Sequence, residues 1–284
     1  MFEIIFLFVL ALIWIIFAVA QDLRTREIAN WLNFSLVLFA LGFRFFYSLF
    51  SDGGFGFFYQ GLIGLGIFFA LGHLMYYAHF FAGGDAKLMI ALGAILPFTD
   101  NFSINWKIFV AFFLIFFLIG AIYIIIASAT LSIMNFNAFK KEFRRQIMKR
   151  KKIVYSALLV GIFFMILGFV SGILFFLGAL IFILTYVYFY TKAVDESCMV
   201  RKINVLKLTE GDWLYKSVKV GNKKVLASWD GLTREEISQL RKNHKEVEIR
   251  QGIQFTPVFL ISFLILGYLW WSGRIGSLLG LFGI

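Results

Sequence analysis

Residues 2–28 read FEIIFLFVLALIWIIFAVAQDLRTREI. The part from Phe2 to Ala20 is almost entirely apolar, and Asp22 follows it after a single glutamine. A helix needs roughly 20 apolar residues to cross the hydrocarbon core of a bilayer, so this stretch predicts a membrane span. An ionisable side chain at such a depth is costly and indicates a functional site. Asp22 is therefore the first candidate functional residue.

The composition places the whole chain among polytopic membrane proteins. Of its 284 residues, 61% are hydrophobic and 15% are charged, against about 45–50% and 25% in soluble domains. The N-terminus lacks the basic segment and the small-residue cleavage site of a removable signal peptide. A single cysteine, Cys198, excludes an intramolecular disulfide framework and any zinc site built from several cysteines.

Apolar runs recur along the chain and predict an all-α polytopic membrane protein with about eight transmembrane helices. The runs lie near 2–21, 31–50, 59–81, 86–98, 107–134, 153–170, 173–191 and 255–272. The fourth run is short because it ends at Pro97, and a short helix is typical of one whose cytosolic end lies in a protein-lined, watered recess. Ser171-Gly172 separates the sixth and seventh runs, so we expect a tight turn there.

The distribution of basic residues predicts the orientation of these helices. If the N-terminus faces outward and every run is a span, 24 of the 27 Lys and Arg residues lie on one side. Cytosolic loops carry such an excess of positive charge. We therefore expect a multi-pass protein of the cell membrane, surrounded by lipid, with Asp22 at the cytosolic face.

One polar segment, 192–252, is long enough to fold outside the membrane. Its VKVGNKKV stretch predicts a β-hairpin that turns at Gly221-Asn222. Thr233 and Glu236 form the pattern of a capping box that opens a short helix, with Ile237 and Leu240 on its buried face. We therefore predict a small α+β cytosolic module. The expected organisation is a catalytic transmembrane core in 1–134, a basic cytosolic loop and helical hairpin in 135–191, the module in 192–252, and a C-terminal transmembrane helix and tail in 253–284.

A second carboxylate, Asp85, opens the fourth run within AGGDAK. Each aspartate alone has a structural explanation: Asp22 would pair with Arg24 or Arg26, and Asp85 would cap a helix N-terminus. Both, however, are predicted to lie at the same membrane face. Two carboxylates in close approach titrate separately, so that one stays protonated near neutral pH. An acid next to a base is what amide hydrolysis through an activated water requires.

These motifs resemble a known family. The pattern Gln-Asp-x-Arg-x-Arg-Glu-Ile-x-Asn from Gln21 and the pattern Gly-Gly-Asp-x-Lys from Gly83 are similar to those of the archaeal prepilin and preflagellin peptidases, which are intramembrane aspartyl proteases of the GxGD type. EGDWL from Glu210 and GLTREEI from Gly231 resemble the cytosolic C-terminal module of some archaeal members. One departure is Ala82, which stands where GxGD has a glycine.

The resemblance implies a role for each matching residue. Asp22 and Asp85 become the catalytic dyad, and Gly83 and Gly84 become a turn that presents Asp85. The candidate substrate-binding residues are Gly83, Gly84, Lys87 and Glu27, with Glu27 as an anion for a basic leader. The implied substrates are pilin-like or flagellin precursors with class III leader peptides, which such enzymes cut on the cytosolic side of the membrane. We expect no cofactor, no metal and no nucleic acid.

Two other functional classes compete with this interpretation. An ion- or proton-coupled transporter would also use two membrane-level carboxylates, although both aspartates lie at helix ends rather than near the midplane. A membrane anchor would use the basic run 139–152 to bind anionic lipid. An intramembrane metalloprotease is disfavoured, because His73 and His79 are six residues apart and do not share a helix face.

Overall fold

The computed structural model describes residues 2–51, 54–221, 223–228 and 231–283, and most of them are helical. The helices are α1 (Phe2–Thr25), α2 (Asn30–Phe50), α3 (Gly56–Tyr77), α4 (Gly83–Gly93), α5 (Phe102–Met134), α6 (Phe136–Lys149), α7 (Lys151–Leu167), α8 (Gly172–Cys198), α9 (Arg234–Asn243), α10 (Thr256–Trp271) and α11 (Ile275–Gly280). The strands are β1 (Val200–Asn204), β2 (Trp213–Leu214), β3 (Val218–Val220), β4 (Lys223–Val225) and β5 (Glu246–Arg250).

Within the described ranges, five helices are long and apolar enough to cross a membrane: α1, α2, α3, α5 and α8. The prediction of a mostly helical, multi-pass membrane protein with a small sheet region is therefore confirmed, whereas the count of eight spans is not. Helix α4 has 11 residues and is about 16 Å long, roughly half the thickness of the hydrocarbon core. Helices α7 and α10 have 17 and 16 residues and are also short for a span.

The chain divides into two compact units, Met1–Tyr123 with Gln254–Ile284, and Ile124–Ile253. The four predicted segments follow a different division, which stays a prediction. In the first unit, α3 packs closely on the short helix α4. A Cβ at Gly64 would collide with the main-chain oxygen of Gly93 and with Pro97, so the absence of a side chain at Gly64 lets the two helices approach closely.

Arg44 of α2 anchors the C-terminal end of α4. Its side chain is fully buried, and its Nε donates to the main-chain oxygen of Ala94 at 2.8 Å. Its Nη1 donates to the oxygen of Phe57 at 2.9 Å, and its Nη2 donates to those of Ile95, at 3.1 Å, and Pro97. A helix end leaves carbonyl groups without intrahelical partners, and the guanidinium supplies donors for them.

The second unit contains a hairpin of α7 and α8. The turn that joins them includes Ser171, as the sequence predicts. Two differences from the expectations follow. The basic run expected as a loop forms α6, because Phe139 and Phe143 are four residues apart and give the helix an apolar side, where Phe139 contacts Tyr190. Helix α8 continues to Cys198, so the expected start of the module at 192 lies inside a helix.

The sheet region of the second unit agrees with the local sequence patterns. Strands β1, β5 and β2 form an antiparallel sheet in that order, and β3 pairs with β4. In the predicted hairpin, Gly221 has a φ of 58°, and Asn222 lies outside the described residues. The capping box of Thr233 and Glu236 at the start of α9 is confirmed. Ile237 and Leu240 are buried, as predicted.

Candidate active site

Asp22 lies in the last turn of α1 and continues the buried side of that helix. The buried positions include Ala11, Ile15, Ala18 and Asp22, whose spacing of three or four residues places them on one face. The Asp22 side chain accepts a hydrogen bond at Oδ2 from the Thr256 hydroxyl at 2.6 Å. With only 7% of Asp22 exposed, its carboxyl is held within the first unit rather than in a solvated loop.

Asp85 lies in the first turn of α4, where it does not act as the helix cap. Ala82 precedes the helix in an extended conformation with a φ of −69°, and no side chain caps this end. Gly83 and Gly84 are therefore the first residues of the helix, and not the turn that the sequence suggested. The negative φ of Ala82 also means that no glycine is needed there.

The Thr256 hydroxyl contacts the carboxyl groups of both aspartates. Its Oγ1 lies 2.6 Å from Oδ2 of Asp22 and 3.4 Å from Oδ1 of Asp85. Thr256 is the first residue of α10 and is fully buried. Three helices that are distant in sequence therefore meet at this polar site. Such an arrangement of two carboxyls can supply one general acid and one general base.

Neighbouring polar groups hold the start of α10 against α1. The Gln254 side-chain amide donates to the main-chain oxygen of Asp22. The Tyr123 hydroxyl of α5 donates to the main-chain oxygen of Gln254 at 2.9 Å. The sequence interpretation missed Thr256, Gln254 and Tyr123. The only available signal was the polar pair Gln254 and Thr256 at the edge of the last apolar run.

The two glycines before Asp85 differ in their surroundings. A Cβ on Gly84 would lie 3.3 Å from Cβ of Ile28, whereas a Cβ on Gly83 would meet only Tyr76, at 3.9 Å. Ile28 belongs to the connection between α1 and α2. Gly84 therefore lets this connection pack directly on α4, next to both aspartates.

The other two candidate substrate-binding residues lie at the edge of the site. The Lys87 ammonium donates to Oδ1 of Asn30 at 2.6 Å and so links α4 to the start of α2. Glu27 is exposed, and its main-chain oxygen accepts a hydrogen bond from the Thr25 hydroxyl at 3.2 Å. Lys87 thus has a structural contact, whereas the Glu27 side chain reaches solvent.

Comparison with known proteins agrees with the motifs. Residues 9–125 match the type IV leader peptidase family. The preflagellin peptidases of Methanocaldococcus jannaschii and Methanococcus maripaludis are 32% and 31% identical to the chain over 90 residues. The aligned region is 32% of this chain and 38% of either relative, so the chain spans about two fifths of the length of these curated relatives. No solved structure matches the chain. The resemblance to the prepilin and preflagellin peptidases is thus confirmed for residues 9–125, which include both aspartates and match the type IV leader peptidase family.

Proposed function

We propose that the chain is a membrane-embedded aspartyl endopeptidase that removes the short basic leader from preflagellin and prepilin-like precursors. The observation that carries this proposal is the meeting of the Asp22 and Asp85 carboxyls at the Thr256 hydroxyl. The family match over residues 9–125 supports it, because that region contains both aspartates. The names of the two relatives support a preflagellin as one substrate.

The proposed reaction uses one ionised and one protonated carboxyl. The ionised carboxyl removes a proton from a water molecule while the water oxygen forms a bond to the carbonyl carbon of the scissile amide. The protonated carboxyl gives its proton to the carbonyl oxygen. The tetrahedral diol then collapses and the C–N bond breaks. The leaving nitrogen takes the proton that the first carboxyl gained from water, and a diol hydroxyl returns a proton to the second carboxyl, which restores the starting state. Closeness of the two carboxyls favours the single-proton starting state, because both ionise together only at high cost.

The substrate is expected to reach the pair at the cytosolic face of the membrane. The distribution of Lys and Arg supports this orientation, and both aspartates lie at helix ends. A class III leader precedes an apolar helix, so the helix would stay in lipid while the leader crosses the site. Exposed Glu27 is the proposed anion for a basic leader residue.

The test is cleavage of a panel of preflagellin and prepilin precursors by membranes that carry the chain. We expect Asp22→Asn and Asp85→Asn each to lower the rate by orders of magnitude. The double variant should be hardly worse than either single one, since residues that act as a unit are not additive. Asp100→Asn is the matched control, because Asp100 is exposed and lies in a connection on the side predicted to face outward.

Each variant is checked for normal membrane insertion before its rate is interpreted. Robust cleavage by a single variant would remove that aspartate from the catalytic pair. No cleavage of any precursor by the wild-type chain would contradict the peptidase function and favour the transporter alternative, for which proton or cation flux into vesicles is the direct measurement.

A further inference from the structure

We propose that Thr256 is a positioning residue whose hydroxyl bridges Asp22 and Asp85 and holds the pair in its single-proton arrangement. The inference rests on the proposed function and adds a third group to the site. Thr256 is fully buried and its Oγ1 contacts both carboxyls, at 2.6 and 3.4 Å. It also lies outside residues 9–125, the region that matches the leader peptidase family.

The number of protons at the site supports this role. A hydroxyl donates one hydrogen bond and accepts others, so Thr256 cannot donate to both carboxyls at once. The shorter distance, 2.6 Å, indicates that the Thr256 hydroxyl donates its one hydrogen bond to Asp22. The longer contact, to Asp85, then becomes a hydrogen bond only when Asp85 is protonated and donates to Oγ1. One proton on the carboxyl pair therefore allows both hydrogen bonds: Asp85 donates to Thr256, and Thr256 donates to Asp22.

The two residues that precede Thr256, Gln254 and Phe255, are held by α1 and α5. A Cβ on Gly120 would lie 2.9 Å from the ring of Phe255, so α5 approaches the start of α10 closely. The Gln254 amide bonds the main chain of Asp22, and the Tyr123 hydroxyl bonds the main chain of Gln254. Among the described residues, Asp22 and Asp85 interact electrostatically with each other, and Tyr123 interacts with Asp22.

The first test compares Thr256→Val, which removes the hydroxyl at similar volume, with Thr256→Ser, which keeps it. A hydrogen bond to a charged group contributes enough that Thr256→Val should lower kcat by roughly ten- to a hundredfold. We expect an unchanged KM and a shifted pH–rate profile for Thr256→Val, and values near wild type for Thr256→Ser. Thr185→Val is the control, since the Thr185 hydroxyl bonds Ile181 within its own helix at 2.8 Å.

A merely structural role gives a different pattern. The amount of folded protein would fall, while kcat per folded molecule and the pH–rate profile would match the wild type. That pattern would overturn the proposal, and so would equal losses in the valine and serine variants at position 256.

A second test does not depend on cleavage. Dicyclohexylcarbodiimide modifies protonated carboxyls in apolar surroundings, and peptide mass spectrometry locates the adduct. We expect the wild-type chain and Thr256→Ser to react mainly at Asp85, with the same pH dependence. Thr256→Val should lose this preference or shift the pH dependence. Identical labelling of wild type and Thr256→Val would refute the bridge even if the wild type cleaves precursors, whereas the expected labelling without any cleavage would refute only the peptidase function.

Discussion

Replacement of Arg44 by methionine tests how the short helix α4 is held. Arg44 is fully buried and donates to the main-chain oxygens of Phe57, Ala94, Ile95 and Pro97. Its guanidinium carbon also lies 4.1 Å from the ring centre of Phe57. Methionine keeps the apolar stem but removes every one of these hydrogen bonds, so the C-terminal end of α4 loses its donors.

The expected loss of stability follows from these contacts. An interhelical hydrogen bond in a membrane protein averages about 0.6 kcal/mol, so four such bonds contribute about 2.5 kcal/mol. The carbonyls left without donors cost about 1–3 kcal/mol each, and relief of the buried charge, which costs several kcal/mol in the wild type, offsets most of this penalty. We therefore expect a net loss of about 3–5 kcal/mol.

The assay is thermal unfolding of the purified protein in detergent, followed by tryptophan fluorescence. A loss of this size lowers the unfolding midpoint by roughly 6–20 °C in a domain of this length. Arg274→Met is the matched control, because Arg274 is exposed and its Nη1 has a long contact of 3.4 Å to the Tyr268 hydroxyl. We expect that variant to unfold within about 2 °C of the wild type.

Arg44→Lys refines the test. Lysine keeps a positive charge but cannot present the planar fork of the guanidinium, so we expect a midpoint between those of the wild type and Arg44→Met. Equal midpoints for Arg44→Met and Arg274→Met would refute the view that the guanidinium supports α4.

Two further predictions concern residues near the dyad. Gly84→Ala should unfold at a lower temperature than Gly83→Ala and cleave precursors more slowly, because only a Cβ on Gly84 meets Ile28 and such overpacking costs about 1 kcal/mol or more. Equal unfolding midpoints and equal cleavage rates would contradict the packing argument. Glu27→Gln should raise the KM for a precursor with a basic leader and leave the KM for a neutral leader unchanged, because an exposed carboxylate acts here only through its charge. An equal change in KM for both leaders would exclude this role.

The sequence predicted those features whose cause is local. The capping box of Thr233 and Glu236 and the hairpin at Gly221 are set by residues within a few positions of one another, and the structure contains both. The apolar runs likewise predicted a multi-pass membrane protein without any knowledge of packing. The density of basic residues led to the wrong prediction of a loop where the structure has α6, because the spacing of Phe139 and Phe143 favours a helix.

Within the candidate site, the sequence by itself identified Asp22 and Asp85, because a carboxylate next to an apolar run can be recognised without a structure. Only the tertiary structure showed that Thr256 lies between them. Thr256 is 234 residues from Asp22 and 171 from Asp85, and no periodicity in the chain reports a contact over such a separation. The same holds for Arg44, whose partners lie 13 to 53 residues away. A threonine at a helix start and an arginine inside an apolar run become meaningful only when packing places their donors against carboxyl and carbonyl oxygens.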